Sequence, residues 1–172
     1  MSYRELLIGC GNNRTKRIKH GDVYKDWQDL TTLDVDPACS PDVLHDLNVM
    51  PYPFEGGAFD EIHAYECLEH CGRQGDAAFF FAQFGELHRI LKPGGLLCGT
   101  VPAWDSPWAW ADPQHVRVLP KESFYLLHRP LYEEEVGKTS ITDYRAMLRG
   151  SFTPLAFNEG EHQLGFVLRA DK

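Results

Sequence analysis

The sequence predicts an α/β fold: a three-layer α/β/α sandwich around a mostly parallel seven-stranded sheet, with a C-terminal antiparallel hairpin strand. Short, largely apolar runs that stop at glycine or aspartate, at residues 3–10 and 30–35, are typical of buried parallel strands. A helical apolar pattern then alternates with further strand patterns. Near the C-terminus, two strand-like runs flank the turn-forming residues 158–161 and predict a hairpin.

The stretch between the first two strands is polar and weakly periodic. Residues 12–28 therefore favour a short helix or an irregular excursion over the long helix that usually connects parallel strands. The turn-rich residues 51–57 separate the next two strands. The other predicted strands cover residues 43–45, 59–65, 96–101, 152–157 and 163–168.

Three helices are predicted in the second half of the chain. In residues 76–92 the apolar positions recur at helical spacing, Lys92 closes the last turn, and Pro93-Gly94-Gly95 ends the helix. Residues 121–128 predict a short helix. Residues 142–149 predict another, because Ser140 and Asp143 have the spacing of a capping box and Gly150 follows.

Length and composition indicate one domain, at residues 1–172. The net charge of −8 disfavours a nucleic-acid partner. Five cysteines at irregular spacings fit reduced thiols. No apolar run is long enough to span a membrane, and the N-terminal residues do not have a signal-peptide pattern, so a cytoplasmic location is expected.

The first two strands end in residues suited to a nucleoside-containing ligand. Gly9 and Gly11 allow a sharp turn and close approach of the backbone. Asp34 is placed to accept hydrogen bonds from two ribose hydroxyls, whereas Asp36 is interpreted as the cap of the next turn. The dinucleotide fingerprint requires a third glycine where this chain has Arg14, which weakens an NAD or FAD interpretation.

Taken together and in order, these motifs resemble the class I S-adenosylmethionine-dependent methyltransferases, in particular their small-molecule and glycan-type branch. The resemblance covers about the first hundred residues. It rests on Ile8-Gly9-Cys10-Gly11, Leu33-Asp34-Val35-Asp36-Pro37, Asp46-Leu47, Phe59-Asp60-Glu61-Ile62-His63, Cys67-Leu68-Glu69-His70 and Ile90-Leu91-Lys92-Pro93-Gly94-Gly95.

The resemblance implies a Rossmann-like fold that binds S-adenosylmethionine (SAM) and releases S-adenosylhomocysteine (SAH). It implies that the glycine turn borders the methionine moiety, that Asp34 binds the ribose and that Glu66 faces the sulfonium. Asp46 would accept from the adenine amino group, although a turn-forming role is the alternative. The cofactor-binding residues implied are Gly9, Cys10, Gly11, Asn12, Asp34, Val35, Asp46, Leu47 and Glu66.

Methyl transfer from a sulfonium is an in-line displacement that depends mainly on positioning, and it needs a base only for a hydroxyl or protonated amine acceptor. His70 and His115 are the candidate bases, with a purely structural role as the alternative. The segment with Arg117 resembles one that faces the acceptor in some sugar and lipid-head-group methyltransferases. The resemblance implies that Arg117 anchors a carboxylate or phosphate of the acceptor and that residues 102–150 form an acceptor-side or lid segment. Trp104, Trp108 and Trp110 either line an acceptor site, cover the sheet edge or form an oligomer contact.

The expected activity is methyl transfer to an O or N atom of a small-molecule or sugar-type acceptor. Glu66-Cys67-Leu68-Glu69 stands where nucleic-acid amino methylases carry an Asn/Asp-Pro-Pro-aromatic block, and no Pro-Cys nucleophile is present. No compact cluster with metal-ligand spacing is visible, so no metal is expected. Two alternatives remain: a catalytically degenerate SAM-binding or interaction module, and an NAD-dependent oxidoreductase.

Overall fold

In the computed structural model, which describes residues 2–20 and 25–172, the strands follow the predicted apolar runs. The hairpin strands are longer than predicted, and the fifth strand starts at Leu91, ahead of the glycines. The strands are β1 (Arg4–Ile8), β2 (Asp29–Asp34), β3 (Val43–Leu44), β4 (Phe59–Tyr65), β5 (Leu91–Pro102), β6 (Ser151–Glu159) and β7 (Gln163–Asp171).

The strands form one sheet in the order β3-β2-β1-β4-β5-β7-β6. The pairs among β1 to β5 are parallel, while β7 is antiparallel to both β5 and β6. The predicted α/β fold class is confirmed as a Rossmann-like, mostly parallel seven-stranded sheet with one reversed strand in the C-terminal hairpin. Because β1, β2 and β4 are parallel neighbours, the loops that follow them meet at one edge of the sheet.

The described helices are α1 (Ala77–Ile90), α2 (Trp108–Ala111), α3 (Lys121–Tyr125) and α4 (Arg129–Glu135). The side chain of Asp76 caps α1 by accepting a hydrogen bond from the Phe79 amide. Helix α1 ends at Ile90, so Lys92 lies beyond it and binds Asp60 at 2.6 Å. None of these helices is both long and apolar enough to cross a bilayer.

The predicted helix at residues 142–149 is wrong. Instead of capping a helix, Asp143 accepts a hydrogen bond from the amide two residues on, that of Arg145, and pairs with its guanidinium at 2.7 Å. Only a single turn follows, in which the Met147 and Leu148 amides donate to the Tyr144 carbonyl. Short aspartate side chains compete with helical hydrogen bonding in this way.

Helix α4, which was not predicted, is anchored by one tyrosine. Tyr132 is fully buried, and its hydroxyl donates to the Leu126 carbonyl at 2.6 Å. Pro130 lies in the first turn, where its missing N–H costs nothing.

The main hydrophobic core lies between the helices and one face of the sheet. Phe81, Phe84, Leu87 and Ile90 of α1 are buried there, together with alternate strand residues such as Ile62. Because successive strand residues point to opposite faces, this pattern assigns the even positions of β1 and β4 to the helical side.

On the opposite face the covering layer is built from loop. The described parts of residues 12–28 contain no helix, so of the two predicted alternatives the irregular excursion is observed there, and loop takes the place of a helical third layer. Positions 21–24 lie outside the described residues. The Arg17 and Ile18 amides both donate to the Tyr65 hydroxyl at 3.1 Å. The loop is therefore attached to this face of the sheet by hydrogen bonds.

Candidate functional site

A cavity of ≈ 390 Å³ opens at the carboxyl ends of β1, β2 and β4. Its volume lies within the ~300–1,000 Å³ range of small-molecule sites. Among the nine predicted cofactor residues, seven line it. The residues around the cavity are Gly9, Gly11, Leu33, Asp34, Val35, His45, Asp46, Leu47, Asn48, Glu66, Cys67, His70, Cys71 and Gln114.

The turn after β1 depends on two glycines in the left-handed region. Gly9 has φ +58° and Gly11 has φ +49°. A Cβ on Gly9 would lie 2.5 Å from the Cβ of Cys67, so the β1 and β4 loops pack directly together. A Cβ on Gly11 would meet no described atom within 4 Å, so space remains beside the turn.

Asp34 joins the glycine turn to the end of β2. Its Oδ2 accepts from the Gly11 amide at 2.8 Å, and its Oδ1 accepts from the Asp36 amide at 2.9 Å. Each carboxylate oxygen can accept a second hydrogen bond, so both remain competent toward a diol. Asp36 caps the following turn by accepting from the Ala38 amide, as predicted.

The rim of the cavity near β2 and β3 combines an apolar side chain with a carboxylate. Val35 is 63% exposed, which is unusual for valine next to a core strand and suits contact with a flat ring. Asp46 accepts from the amide and side-chain nitrogen of Asn48 through Oδ1, and these bonds do not use its Oδ2.

Glu66 has a strained backbone at the end of β4. It is a non-glycine residue with φ +50°, a conformation that costs on the order of 1–3 kcal/mol and concentrates at functional sites. Its amide donates to the Thr100 carbonyl at 2.9 Å, and its Oε1 accepts from Gln163 at 2.7 Å. The backbone of Glu66 is thereby held by β5, and its carboxylate is held at the cavity by the first residue of β7.

Two predicted cofactor residues do not line the cavity. Cys10 points to the opposite face, where it packs with Leu7 and Tyr65, because side chains alternate across the sheet at the end of β1. Asn12 is exposed beyond the glycine turn. The structure therefore does not support contact between these two side chains and the cofactor.

The two candidate bases lie together although they are distant in sequence. His70 lines the cavity, and its ring is 4.8 Å from the half-buried ring of His115. A carboxyl oxygen of the buried Glu69, the residue before His70, lies within 4.8 Å of a nitrogen of each ring. Burial, reinforced by the nearby Glu66 carboxylate, raises the pKa of Glu69 to about 8.

The predicted acceptor residues lie outside the cavity. Trp104, Trp108 and Trp110 are 59%, 61% and 69% exposed, and the Trp110 indole donates to the Trp104 carbonyl. Arg117 is buried; it donates to the Leu68 carbonyl at 2.8 Å and to Gln83. Its guanidinium holds the turn after β4, which does not favour the predicted role as an anion anchor.

Sequence patterns did not single out several residues of the site, among them His45, Asn48 and Gln114. Their side-chain types have no spacing that marks a site, so only the fold brings them to the cavity. Cys67 also lines it, and burial raises the pKa of its thiol well above the ordinary value. A thiol held protonated in this way is a poor nucleophile.

The two glycines of the turn are expected to respond differently to alanine. Gly11→Ala should lower the free energy of unfolding by about 1 kcal/mol, because only left-handed strain is added. Gly9→Ala should cost about 2–3 kcal/mol, since its methyl also meets Cys67. Urea unfolding of both variants checks this, and equal losses would contradict the close packing described for Gly9.

The parallel sheet, the glycine turn and the carboxylates at the ends of β2 and β4 define a class I methyltransferase architecture. A family model described as a methyltransferase domain matches residues 6–99. The chain belongs to this family of class I SAM-dependent methyltransferases, and SAM as the cofactor is confirmed at the level of the family. No curated protein matches the sequence.

Solved structures share the fold at low sequence identity. A SAM-dependent methyltransferase from Archaeoglobus fulgidus has a TM-score of 0.60 and 14% identity, over 97% of this chain and 86% of that one. The N-methyltransferase NodS from Bradyrhizobium japonicum has a TM-score of 0.56 and 17% identity, over 99% and 87%. The 1,6-didemethyltoxoflavin-N1-methyltransferase from Burkholderia thailandensis, solved with SAH, has a TM-score of 0.58 and 17% identity, over 98% and 71%.

Proposed function

We propose that this chain is an active enzyme that transfers the methyl group of SAM to an O or N atom of a small-molecule or sugar-type acceptor. One observation carries the proposal: the glycine turn, the Asp34 carboxylate and the strained Glu66 converge on a single cavity at the strand ends. This arrangement provides separate groups for the methionine, ribose and sulfonium parts of one ligand.

The residues around the cavity fit SAM in an extended pose. Asp34 accepts hydrogen bonds from the two ribose hydroxyls, Val35 and Leu47 pack on the adenine, and Asp46 accepts from its amino group. The space beside Gly11, which a Cβ would fill, accommodates the methionine moiety. Glu66 offers a carboxylate to the positively charged end of the ligand.

Bound SAM supplies an electrophilic methyl group on a sulfonium. The chain contributes mainly position, since holding the acceptor atom about 3 Å from the methyl in line with its bond to sulfur accounts for ~7 kcal/mol or more of the barrier. His70, at the cavity, accepts the proton of a hydroxyl or ammonium acceptor, and His115 packs against its ring and orients it.

Residues 102–150 form the acceptor side of the same domain. The exposed indoles of Trp104, Trp108 and Trp110 follow β5 and are available to stack on a planar or sugar-type acceptor. NodS and the toxoflavin-type enzyme, described as N-methyltransferases, support a small acceptor through fold likeness alone. The negative net charge disfavours nucleic acid.

Calorimetric titration of the full chain with SAH tests the proposal. We expect one SAH per chain, and we expect that NADH neither binds nor competes, because the third glycine of the dinucleotide turn is absent. Failure of SAH to bind would reject the proposal, whereas NADH binding in competition with SAH would favour an oxidoreductase.

Turnover separates an enzyme from a degenerate binding module. Labelled SAM is supplied with a fractionated cell extract, and label transfer to a small molecule is expected. Tight SAH binding without transfer to any fraction would favour the module instead.

A further inference from the structure

Three side chains beside the cavity form a cluster that the proposed function does not fully use. Glu69, His70 and His115 each offer a ligand atom, and these atoms lie within 4.8 Å of one another. The sequence predicted no metal site, because Glu69 and His70 are adjacent and His115 lies far along the chain. Docking of two separate segments creates the cluster.

Glu69 lacks partners for its carboxyl group. The residue is 2% exposed, and neither Oε1 nor Oε2 forms a hydrogen bond with any described residue. The Nδ1 of His115 is also buried without a partner among the described residues. Buried polar groups are nearly always satisfied, so several orphaned atoms in one place indicate a missing ligand.

The backbone holds these side chains in place. The Val116 and Arg117 amides donate to the Glu69 carbonyl at 3.0 and 3.3 Å, which fixes the His115 segment on the turn after β4. The Nδ1 of His70 is 3.2 Å from the Gln114 carbonyl. Because a carbonyl only accepts, Nδ1 carries the proton and the lone pair of Nε2 is left for a ligand, as in metal-binding histidines.

We propose that Glu69, His70 and His115 bind a divalent first-row transition-metal ion at the edge of the cofactor cavity. Two imidazoles and one carboxylate suit Mn²⁺, Fe²⁺, Co²⁺ or Zn²⁺ and leave coordination positions open. His70 also lines the cavity, so the ion borders the place where the acceptor binds.

The buried Glu5, Glu61 and His63 also lie within ligand distance of one another, but they are a different case. The ammonium of Lys16 is 2.5 Å from Glu5 and 2.8 Å from Glu61 and supplies the positive charge there. His63 already contacts Glu61 and the Tyr65 hydroxyl through its two ring nitrogens. That cluster is internally satisfied and carries no metal proposal.

The metal site narrows the acceptor class, and this step rests on the proposed function. A metal ion beside the transferred methyl favours an acceptor with a hydroxyl or carboxylate oxygen that can bind the ion. In the reaction the S–CH₃ bond breaks, its electron pair stays on sulfur, and an O–CH₃ bond forms. With the metal bound, both ring nitrogens of His70 are engaged, so a hydroxyl acceptor releases its proton to solvent, and atoms and charge balance.

Metal binding is tested on the full chain after treatment with a chelator. Mn²⁺ is titrated by electron paramagnetic resonance and Zn²⁺ by calorimetry, both without SAH. We expect one equivalent to bind, and we expect His70→Asn, His115→Asn and Glu69→Gln each to weaken binding more than about tenfold. His162→Asn, in the exposed β6–β7 connection, is the matched control and should leave binding unchanged.

Absence of a stoichiometric site, or unchanged affinity in both histidine variants, would overturn the proposal. Circular dichroism verifies that each variant is folded. If Glu69→Gln unfolds, the metal affinities of the two histidine variants, which are at less buried positions, decide whether the proposed site exists. SAH titration of the same samples keeps the two proposals separable. SAH binding without metal binding rejects only the metal site, and metal binding without SAH binding rejects only the proposed function.

Discussion

Asp34→Ala is expected to weaken SAH binding by about 100-fold or more. Asp34 would accept two hydrogen bonds from the ribose, and a hydrogen bond to a charged group contributes about 1.5–3 kcal/mol. The substitution also releases the Gly11 amide from its bond to Oδ2, which loosens the turn against the methionine moiety. Calorimetric titration of SAH measures the change.

Two further variants make this test specific. Asp36→Ala removes a neighbouring carboxylate that caps the turn after β2 and does not line the cavity, so its SAH affinity should stay near that of the wild type. Asp34→Asn keeps one acceptor oxygen and should lose less affinity than Asp34→Ala. Undiminished SAH binding to Asp34→Ala would rule out the ribose assignment.

Lys16→Met is expected to lower the free energy of unfolding by about 3–5 kcal/mol, because removal of one partner leaves buried charges unpaired. The Lys16 side chain is 3% exposed and lies between the carboxylates of Glu5 and Glu61. Its ammonium also lies over the Trp27 ring, at 5.3 Å from the centroid. Methionine fills a similar volume, so the decrease in the free energy of unfolding is due to the missing charge and not to altered packing.

Urea unfolding at several pH values checks this prediction. Without Lys16 the two carboxyls repel each other, so their folded-state pKa values rise above the unfolded ones. The variant's deficit should therefore be smaller at acidic pH and grow as pH increases. Lys121→Met, which breaks an exposed pair with Glu159, is the control and should have little effect. Equal stability of Lys16→Met and wild type would show that the cluster is not an ionic unit.

The strands and the cofactor edge of the site were predictable because their signals are local. Apolar runs that end at Gly9 or Asp34 combine burial with turn chemistry within a few residues. The prediction of a helix at residues 142–149 was wrong. The reason is also local, but a capping pattern does not reveal it. Asp143 hydrogen-bonds two residues ahead, and Arg145 then holds its carboxylate in that arrangement.

The region proposed as the acceptor side was less predictable because its residues form their contacts with distant parts of the chain. Arg117 has the chemistry of an anion anchor, but Leu68 and Gln83 use its hydrogen bonds inside the protein. Glu69 has no distinctive pattern in sequence, yet the fold buries its carboxyl without a hydrogen-bond partner among the described residues.

Local sequence patterns were therefore sufficient for the mostly parallel character of the sheet, the glycine turn and the carboxylate at the end of β2. Backbone preferences and hydrophobic periodicity act over short stretches, so they can be recognised without the fold. Only the tertiary structure decided that Glu69, His70 and His115 meet and that a loop covers the second face of the sheet. Those features depend on hydrogen bonds and burial between segments far apart in the chain, which leave no periodic trace in either segment.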